Sequence, residues 1–343
     1  AQSNSIAPEF SLRIIVCPDK FRGTATAAQA AQALAEGISR SQRDVVTMPL
    51  ADGGEGTLDA LGGSNRVSQV TGPLGDPVQA RWRISGDVAV IEMAEASGLL
   101  LAGGPQHNDP LAASTLGTGE VILEARTSGA RRIIVGVGGS ASTDGGLGAI
   151  RAMEPLVRFS GIDLIVACDV ATPFLKAPSI FGPQKGATEA QITLLERRLS
   201  LLADMYVDEY GVDVTEMPRA GAAGGLAGGL AAVGAQLVDG FDLIADEVEL
   251  EDAVSTADLV ITGEGRLDNE SFNGKVVGGV ADIAARHDVP VVAVVGARDL
   301  ETDVPEGISV VSLVESFGSE RAFQETASCL ISVGSRIVGP SAP

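Results

Sequence analysis

Short apolar runs that end in glycine-rich polar segments recur along this chain. Leu12 to Cys17 has the length of a buried parallel strand, and the polar segment PDKFRGT separates it from an alanine-rich helix that ends near Gly37. Val45 to Leu50 and Asp163 to Cys168 are further runs of this kind. A strand, a polar loop and a helix form a βα unit, so the pattern predicts an α/β fold with parallel strands.

The parallel pattern returns near the end of the chain, after a region with a different period. Strands are predicted from Asp258 to Thr262, from Val289 to Val295 and from Ile308 to Val314. Between the two ends, Val78 to Ile84 alternates apolar and polar residues, and Val88 to Met93 follows it. Alternation in two neighbouring runs is typical of an antiparallel hairpin.

The return of the parallel pattern predicts a discontinuous domain. We expect residues 11–77 and 255–339 to form one domain, with a second, mixed α/β domain at 78–254 inserted into it. The turn-rich sequence GPLGDP at 72–77 is the expected boundary. Residues 1–10 are expected to be a tail outside both domains.

Charge and composition exclude several classes of partner. The chain has 343 residues and a formal net charge of −21, which would repel nucleic acids and anionic membranes. No apolar run approaches the ~20 residues of a membrane helix, and the first residues do not resemble a secretory signal. We therefore expect a cytoplasmic protein that binds neither nucleic acid nor membrane.

Cysteine and histidine are too sparse for several kinds of site. Cys17, Cys168 and Cys329 are far apart and lack metal-type spacing, so we expect buried thiols in a reducing compartment. His107 and His287 are the only histidines, which disfavours a histidine-based triad or a histidine-rich metal site.

Charged residues follow the first two predicted strands. Asp19, Lys20 and Arg22 follow the first strand, and Asp52 and Glu55 lie among glycines after the second. Open α/β sheets bind ligands outside the carboxyl ends of their strands, so both groups are candidates for a ligand site. The alternatives are a solvated turn for the first group and, for Asp52, the N-cap of a helix.

The most distinctive segment is GVGGSASTDGGLG at residues 136–148, here called the glycine loop. It follows the apolar run Ile133 to Val135 and contains six glycines, three hydroxyl side chains and one carboxylate, Asp144. Backbone N–H groups, short hydroxyls and an acid are suited to binding phosphate and a metal ion. The glycine loop therefore predicts a phosphotransferase.

Other phosphate-binding and cofactor-binding motifs were compared with the chain. No Walker A motif and no protein-kinase motif set occurs. Gly136, Gly138 and Ala141 fit the loose dinucleotide fingerprint, but the acid expected at the end of the next strand is displaced: Asp163 begins that strand and Asp169 follows it. A NAD(P)-dependent oxidoreductase of a small hydroxy acid stays open as an alternative.

Eight motifs occur in a fixed order: CPDKFRGT, PLADGGEGT, GPLGDPV, GVGGSASTDGG, ACDV, FGPQKGA, GAAGGLAGGL and TGEGRLDNESFNGK. Together they resemble the bacterial glycerate kinase family of the glycerate 2-kinase type, from about Ile14 to Val295. The resemblance implies ATP-dependent phosphorylation of D-glycerate with Mg2+, with 2-phosphoglycerate as the favoured product. It also implies two α/β domains, one of them Rossmann-like, with the active site in the cleft between them. A homodimer is left open.

Three features depart from the family pattern. In the late motif, Glu270, Ser271 and Asn273-Gly274-Lys275 stand where the family commonly has Gln-Thr and His-Gly-Lys. Ser142 and Thr143 stand where the family commonly has Thr-Asn, and the segment from Met153 to Gly161 is shorter than usual. A non-catalytic relative that binds a nucleotide or a carboxylate is therefore a further alternative, because a fold alone does not establish an activity.

The motifs suggest which residues would bind the nucleotide. The backbone N–H groups of Gly138, Gly139 and Gly145, together with Ser140 and Asp144, are the candidates.

Catalytic roles are assigned to Asp52, Asp169, Lys185 and Lys275, as hypotheses. Phosphoryl transfer depends on positioning and charge neutralisation, so Lys185 and Lys275 would offset charge on the transferred group. Asp169 is the predicted general base, and Asp169 and Asp268 are the predicted Mg2+ ligands.

The substrate is an anion and needs cations in an otherwise acidic protein. Lys20 and Arg22 are the candidates for the glycerate carboxylate. Asp19, Glu264 and Arg266 complete the predicted substrate-binding residues.

Overall fold

The structure is a computed structural model that describes residues 12–39, 43–272 and 274–337. The expected tail at residues 1–10 lies outside these ranges. Two β-sheets with helices between and beside their strands make an α/β fold, which confirms the predicted fold class. The strands, in chain order, are β1 (Arg13–Val16), β2 (Asp44–Thr47), β3 (Arg66–Thr71), β4 (Pro77–Ser85), β5 (Val88–Glu92), β6 (Arg132–Gly136), β7 (Asp163–Cys168), β8 (Gln236–Asp239), β9 (Leu259–Leu267), β10 (Val291–Arg298) and β11 (Ile308–Ser312).

The helices vary from one turn to six. In chain order they are α1 (Ala27–Ser39), α2 (Thr57–Ala60), α3 (Ala94–Ser97), α4 (Leu116–Thr127), α5 (Leu147–Met153), α6 (Ala177–Phe181), α7 (Glu189–Tyr210), α8 (Leu226–Ala232), α9 (Gly240–Glu247), α10 (Leu250–Ser255), α11 (Val276–Arg286), α12 (Leu313–Phe317), α13 (Ser319–Gln324) and α14 (Thr326–Ile337). Short 3-10 turns cover Leu156–Phe159, Phe174–Lys176, Pro183–Lys185, Ala222–Gly225 and Asn269–Phe272.

Local sequence signals fix both ends of α7. The Thr188 side chain accepts a hydrogen bond from the Gln191 backbone N–H, and the Gln191 side chain accepts one from Thr188, which is the predicted capping box. Gly211 ends the helix with φ of +71°. Within the described part of the chain, no helix combines the length and apolar character needed to span a membrane.

The chain divides into two compact units. The discontinuous unit comprises the described residues of 12–50 and 245–337, and the continuous unit is Ala51–Ile244. The boundaries differ from the expected ones, because β3 pairs with β4 over the register Arg66–Trp82 to Thr71–Pro77. The GPLGDP turn is thus a hairpin connection inside one sheet, and residues 51–77 belong with the continuous unit.

The discontinuous unit is built on a parallel sheet in the order β11–β10–β9–β1–β2. β1 lies between β9 and β2 and is buried from Ile14 onwards, which explains its unbroken apolar run. Helices α1 and α14 pack together over the same core, where Leu34 and Leu330 are fully buried. β1 ends at Val16 opposite Ile261, so the segment that follows β1 lies beside the second half of β9.

The continuous unit is built on a mixed sheet in the order β3–β4–β5–β6–β7–β8. β3, β4 and β5 form an antiparallel meander, and β5 to β8 pair in parallel. Trp82 on β4 is fully buried and its indole N–H donates to Ser68 Oγ at 2.8 Å. The parallel half brings the segments that follow β6, β7 and β8 to one edge of the sheet.

Candidate active site

The glycine loop follows the carboxyl end of β6 and contains backbone N–H groups that make no hydrogen bond among the residues that the structure describes. The N–H groups of Gly138, Gly139 and Ser140 donate no hydrogen bond to any described residue. Gly139 is exposed and has φ of +65°, a backbone conformation that costs glycine less than other residues. Three successive N–H groups without acceptors, at the end of a parallel strand, form a site suited to an anion. These three residues belong to the part of the glycine loop that was predicted to bind the nucleotide.

Residues 52–56, here called the Asp52 loop, pack directly against the glycine loop. The N–H group of Val137 donates to the carbonyl of Gly53 at 2.9 Å. A Cβ atom on Gly138 would lie only 2.7 Å from the Cα atom of Gly54, so the backbones approach as closely as glycine allows. The structure therefore brings together two of the motifs that the sequence analysis singled out.

Glu92, at the end of β5, holds the Asp52 loop in place and was not among the predicted site residues. Its Oε2 atom accepts hydrogen bonds from the backbone N–H groups of Gly56 at 3.1 Å and Leu58 at 3.2 Å. Burial raises the pKa of Glu92 to about 7, and these two hydrogen bonds oppose the rise. The available signal was its position at the end of a strand that neighbours β6.

Lys185 is buried against the glycine loop and is only 2% exposed. Its Nζ atom lies 2.6 Å from Ser140 Oγ and 2.6 Å from the carbonyl oxygen of Ser142. No ion pair joins Lys185 to a carboxylate within the described ranges. Burial lowers the pKa of Lys185 to about 7, and the negative charge of Asp144 opposes that shift.

A second side chain ties the same segments together. Asn108 donates from Nδ2 to the carbonyl of Lys185 at 2.9 Å and to the carbonyl of Ala141 at 3.0 Å. The sequence analysis did not identify Asn108, since it lies in a turn with no motif. Lys185 and Asn108 together fix the middle of the glycine loop.

The last part of the glycine loop is built into the core rather than left free for a ligand. Asp144 was expected to bind the nucleotide, but its carboxylate accepts hydrogen bonds from Thr115 N at 2.8 Å, Thr115 Oγ1 at 2.9 Å and Gly146 N at 3.1 Å. The N–H group of Gly145, also expected to bind phosphate, donates to the carbonyl of Gly224 at 3.1 Å. Through these hydrogen bonds, Asp144 and Gly145 stabilise the fold of the glycine loop.

Asp169 lies immediately after β7 and is exposed, as expected for a residue at the carboxyl edge of the sheet. Beside it, Arg219 donates to the carbonyl of Cys168 at 3.1 Å and to Asp239 Oδ2 at 3.0 Å. Arg219 and Asp239 were missed, because Asp239 ends a strand too short and polar to be predicted. This arrangement places an acidic and a basic group next to Asp169.

In the discontinuous unit, the segment after β1 lies beside β9. The N–H group of Asp19 donates to the carbonyl of Gly263 at 2.8 Å. Asp19 is 9% exposed, and its Oδ1 atom accepts from the Lys20 N–H at 2.6 Å and lies 3.6 Å from Lys20 Nζ. Arg22 is exposed. The predicted substrate residues of this segment thus reach the carboxyl edge of the parallel sheet.

Glu264, on β9, is an acid at the same edge of the sheet. Its Oε1 atom is buried and has no hydrogen-bond partner among the described residues. Burial raises the pKa of Glu264 to about 7, Asp19 raises it further, and Ser271 and Lys275 oppose the rise. A buried carboxyl oxygen without a donor is unusual in a folded protein and points to a functional use.

The remaining predicted residues of this unit make local contacts. Asp268 Oδ1 accepts from the N–H groups of Glu270 at 2.9 Å and Ser271 at 3.2 Å, and so caps the 3-10 turn that follows β9. Lys275, at the start of α11, lies 3.5 Å from Glu270 Oε2. Arg266 forms an exposed ion pair with Asp299 at 2.6 Å, so its guanidinium already has a partner.

Comparisons with known proteins identify the class to which this arrangement belongs. The sequence model of the glycerate kinase family matches residues 14–157 and 154–339. The chain is 40% identical to glycerate 2-kinase of Escherichia coli, over 91% of this chain and 93% of the relative. It is 41% identical to glycerate kinase of Halalkalibacterium halodurans, over 83% of this chain and 85% of that protein.

A solved structure supports the same assignment. A crystal structure assigned as glycerate kinase 2 from Salmonella typhimurium matches with a TM-score of 0.81 and 35% identity, covering 95% of this chain and 96% of the other. The chain is a kinase by family and belongs to the glycerate kinase family. The alternative of a NAD(P)-dependent oxidoreductase finds no support in these matches.

Proposed function

We propose that the chain catalyses ATP-dependent phosphorylation of D-glycerate, with Mg2+, and that 2-phosphoglycerate is the product. The observation that carries the proposal is the row of unused backbone N–H groups at Gly138, Gly139 and Ser140, in a chain of this family. Such a row binds phosphate oxygens without needing a charged side chain.

The nucleotide phosphates would lie on these N–H groups. The Asp52 loop is fixed against them by the Val137 to Gly53 hydrogen bond, so the site is organised before the ligand binds. Preorganised donors favour a developing negative charge because they need not reorient during the reaction. Asp52, one of the predicted catalytic residues, belongs to this loop.

The residues present suit Mg2+ bound together with phosphate. The described residues contain no group of three or more acidic, histidine or cysteine side chains placed to hold a metal alone. Mg2+ is commonly held by one or two carboxylates plus substrate phosphates, so a site of that kind fits. Asp169, exposed at the end of β7, is the proposed ligand, and Asp268 is the second candidate. The bound ion would offset charge on the phosphates.

Glycerate would be recognised through its carboxylate and hydroxyl groups. Lys20 and Arg22 are the proposed carboxylate partners, with Asp19 and Glu264 next to them at the edge of the sheet. Lys275 would neutralise charge on the transferred phosphoryl group. Arg266 is a weaker candidate because Asp299 already pairs with it.

Asp169 is the proposed general base, which would take the proton from the reacting hydroxyl of glycerate as it attacks the phosphoryl group. An active site between two domains, a homodimer and a cytoplasmic location stay predictions.

A coupled assay of ADP release tests the proposed function. We expect release to require ATP, Mg2+ and D-glycerate together, and to fall sharply in the Lys275→Ala variant. The exposed Lys176→Met variant, altered outside the predicted site, serves as the control. Absence of turnover with glycerate and with related hydroxy acids, in a protein that is folded, would support the non-catalytic alternative instead.

A further inference from the structure

We propose that the nucleoside part of ATP binds in a pocket beside the glycine loop, on the side of Leu100 and Leu101. The inference rests on the proposed function, because it assigns the place of the base and ribose of the same nucleotide. The pocket lies wholly within the continuous unit. Its lining is Glu55, Gln79, Glu92, Ala94, Glu95, Gly98, Leu100, Leu101 and Gly139.

The pocket adjoins the proposed phosphate site through Gly139, which belongs to both. Gly139 supplies one of the three unused N–H groups and also lines the pocket. A nucleotide whose phosphates lie on residues 138–140 must place its nucleoside in an adjoining space. This pocket is such a space.

The pocket wall is fixed to the glycine loop by main-chain hydrogen bonds. The N–H group of Leu99 donates to the carbonyl of Gly139 at 2.8 Å, and the N–H group of Ala141 donates to the carbonyl of Ser97 at 3.0 Å. The segment that carries Leu100 therefore keeps its position relative to the phosphate site. A ligand that spans both would meet a preformed surface.

The size and surface of the pocket suit a nucleoside. Its volume is about 300 Å³, at the lower end of the range for small-molecule pockets. Leu100 is 83% exposed and Leu101 is 44% exposed, so two large apolar side chains at the pocket are accessible to a ligand. A flat base could cover them and gain hydrophobic contact.

The charge of the pocket argues against the other ligands of the reaction. Glu55, Glu92 and Glu95 line it, and Arg81 is already paired with Glu95 at 2.6 Å. Glycerate is an anion and would be repelled there. The hydroxyl groups of ribose and the amino group of a base are hydrogen-bond donors, which carboxylates accept.

Binding measurements on a Leu100→Ala variant test the assignment. We expect calorimetry to show about 5- to 10-fold weaker binding of ADP and of adenosine, because the truncation removes apolar area that the base would cover. Binding of inorganic tripolyphosphate should change by less than about 2-fold, since that ligand reaches only the N–H groups. The matched control is Leu201→Ala, which truncates another exposed leucine (71%) of the same unit that does not line the pocket.

The kinetic constants give a second, independent test. In the Leu100→Ala enzyme, KM for ATP should rise while kcat and KM for glycerate stay within about 2-fold, the pattern of lost ground-state binding. A rise in KM for glycerate alone, or unchanged binding of ADP and adenosine, would overturn the proposal. The calorimetry does not require turnover, so it tests the pocket even if the chain fails to phosphorylate glycerate.

Discussion

The Nζ atom of Lys185 lies 2.6 Å from Ser140 Oγ, and the lysine side chain is almost completely buried. Lys185 also donates to the Ser142 carbonyl, so its amine holds two points of the glycine loop. The sequence analysis assigned Lys185 to the transferred phosphoryl group. The contacts instead favour an action through the loop, because Ser140 and Ser142, which accept hydrogen bonds from the amine, both belong to it.

Replacing Lys185 by Met should loosen the glycine loop in the protein without ligand. We expect faster hydrogen exchange at residues 138–144, and ADP binding weaker by about 10-fold or more, since a buried donor that bonds to two points of the loop is lost. Lys185→Arg should restore part of the ADP affinity, and the exposed Lys176→Met should match the wild type. A lysine that acts only on the transferred group would instead lower kcat and leave exchange and ADP binding unchanged.

The burial of Lys185 should also appear in the pH dependence of stability. Its pKa is about 7 in the folded protein, below the ordinary value of 10.5. A group whose pKa is lower in the folded protein than in the unfolded protein contributes fully to the free energy of unfolding above its unfolded pKa. That contribution is lost as the pH falls through its folded pKa. Between about pH 7 and pH 10 the wild type should gain roughly 1.4 kcal/mol per pH unit relative to Lys185→Met.

Denaturant unfolding of both proteins from pH 6 to pH 9 measures this difference. Taking the difference between the two proteins cancels the contributions of other acids, such as Glu92. A constant difference over that range would show that Lys185 stays charged in the folded protein.

The close contact between Gly138 of the glycine loop and Gly54 of the Asp52 loop predicts the effect of adding one methyl group at either position. In Gly138→Ala the new Cβ would meet Gly54 Cα at 2.7 Å, so one loop must move. We expect a loss of about 1–3 kcal/mol in the free energy of unfolding. KM for ATP should also rise because the N–H groups move with the loop.

Gly54→Ala is the matched control, since it alters the opposite side of the same contact. Its Cβ would meet Asp52 Oδ1 at 3.2 Å and Gly138 Cα only at 3.8 Å. This variant should lose less stability and keep more ATP affinity than Gly138→Ala. Equal effects of the two changes would contradict the predicted importance of the close approach at Gly138.

The proposed base can be removed with little change of shape. Asp169→Asn should lower kcat by roughly 100-fold or more if Asp169 takes the proton from glycerate. Because Asp169 is exposed, the free energy of unfolding should change little. Near-normal turnover in the folded variant would exclude Asp169 as the base, and Glu264, with its unpartnered Oε1, would be the next residue to replace.

The sequence predicted best the strands and helix caps, which depend on residues that are close together along the chain. β7 runs from Asp163 to Cys168 as expected, and the capping box at Thr188 begins α7. A strand period or a cap is determined within a few residues, so a single sequence contains it. The short edge strands β3 and β8 were missed because they contain polar residues and few apolar ones.

Contacts across long sequence separations could not be predicted in the same way. Lys185 meets Ser140 across 45 residues, and Glu92 meets Gly56 across 36. Nothing local to Lys185 indicates that it is buried, and nothing local to Asp144 indicates that Thr115, the residue before α4, supplies two of its donors. The sequence therefore indicated which segments form the site. Which residues of the glycine loop are available to a ligand, and which stabilise the fold, depends on tertiary packing.

Phosphorus NMR of one reaction mixture tests the central claim most directly. The protein is incubated with ATP, Mg2+ and D-glycerate, and the phosphorus signals of substrates and products are followed together. The account predicts that ADP and 2-phosphoglycerate appear in equal amounts and that neither forms when glycerate is omitted. Unchanged ATP, or ADP accompanied only by inorganic phosphate, would contradict it.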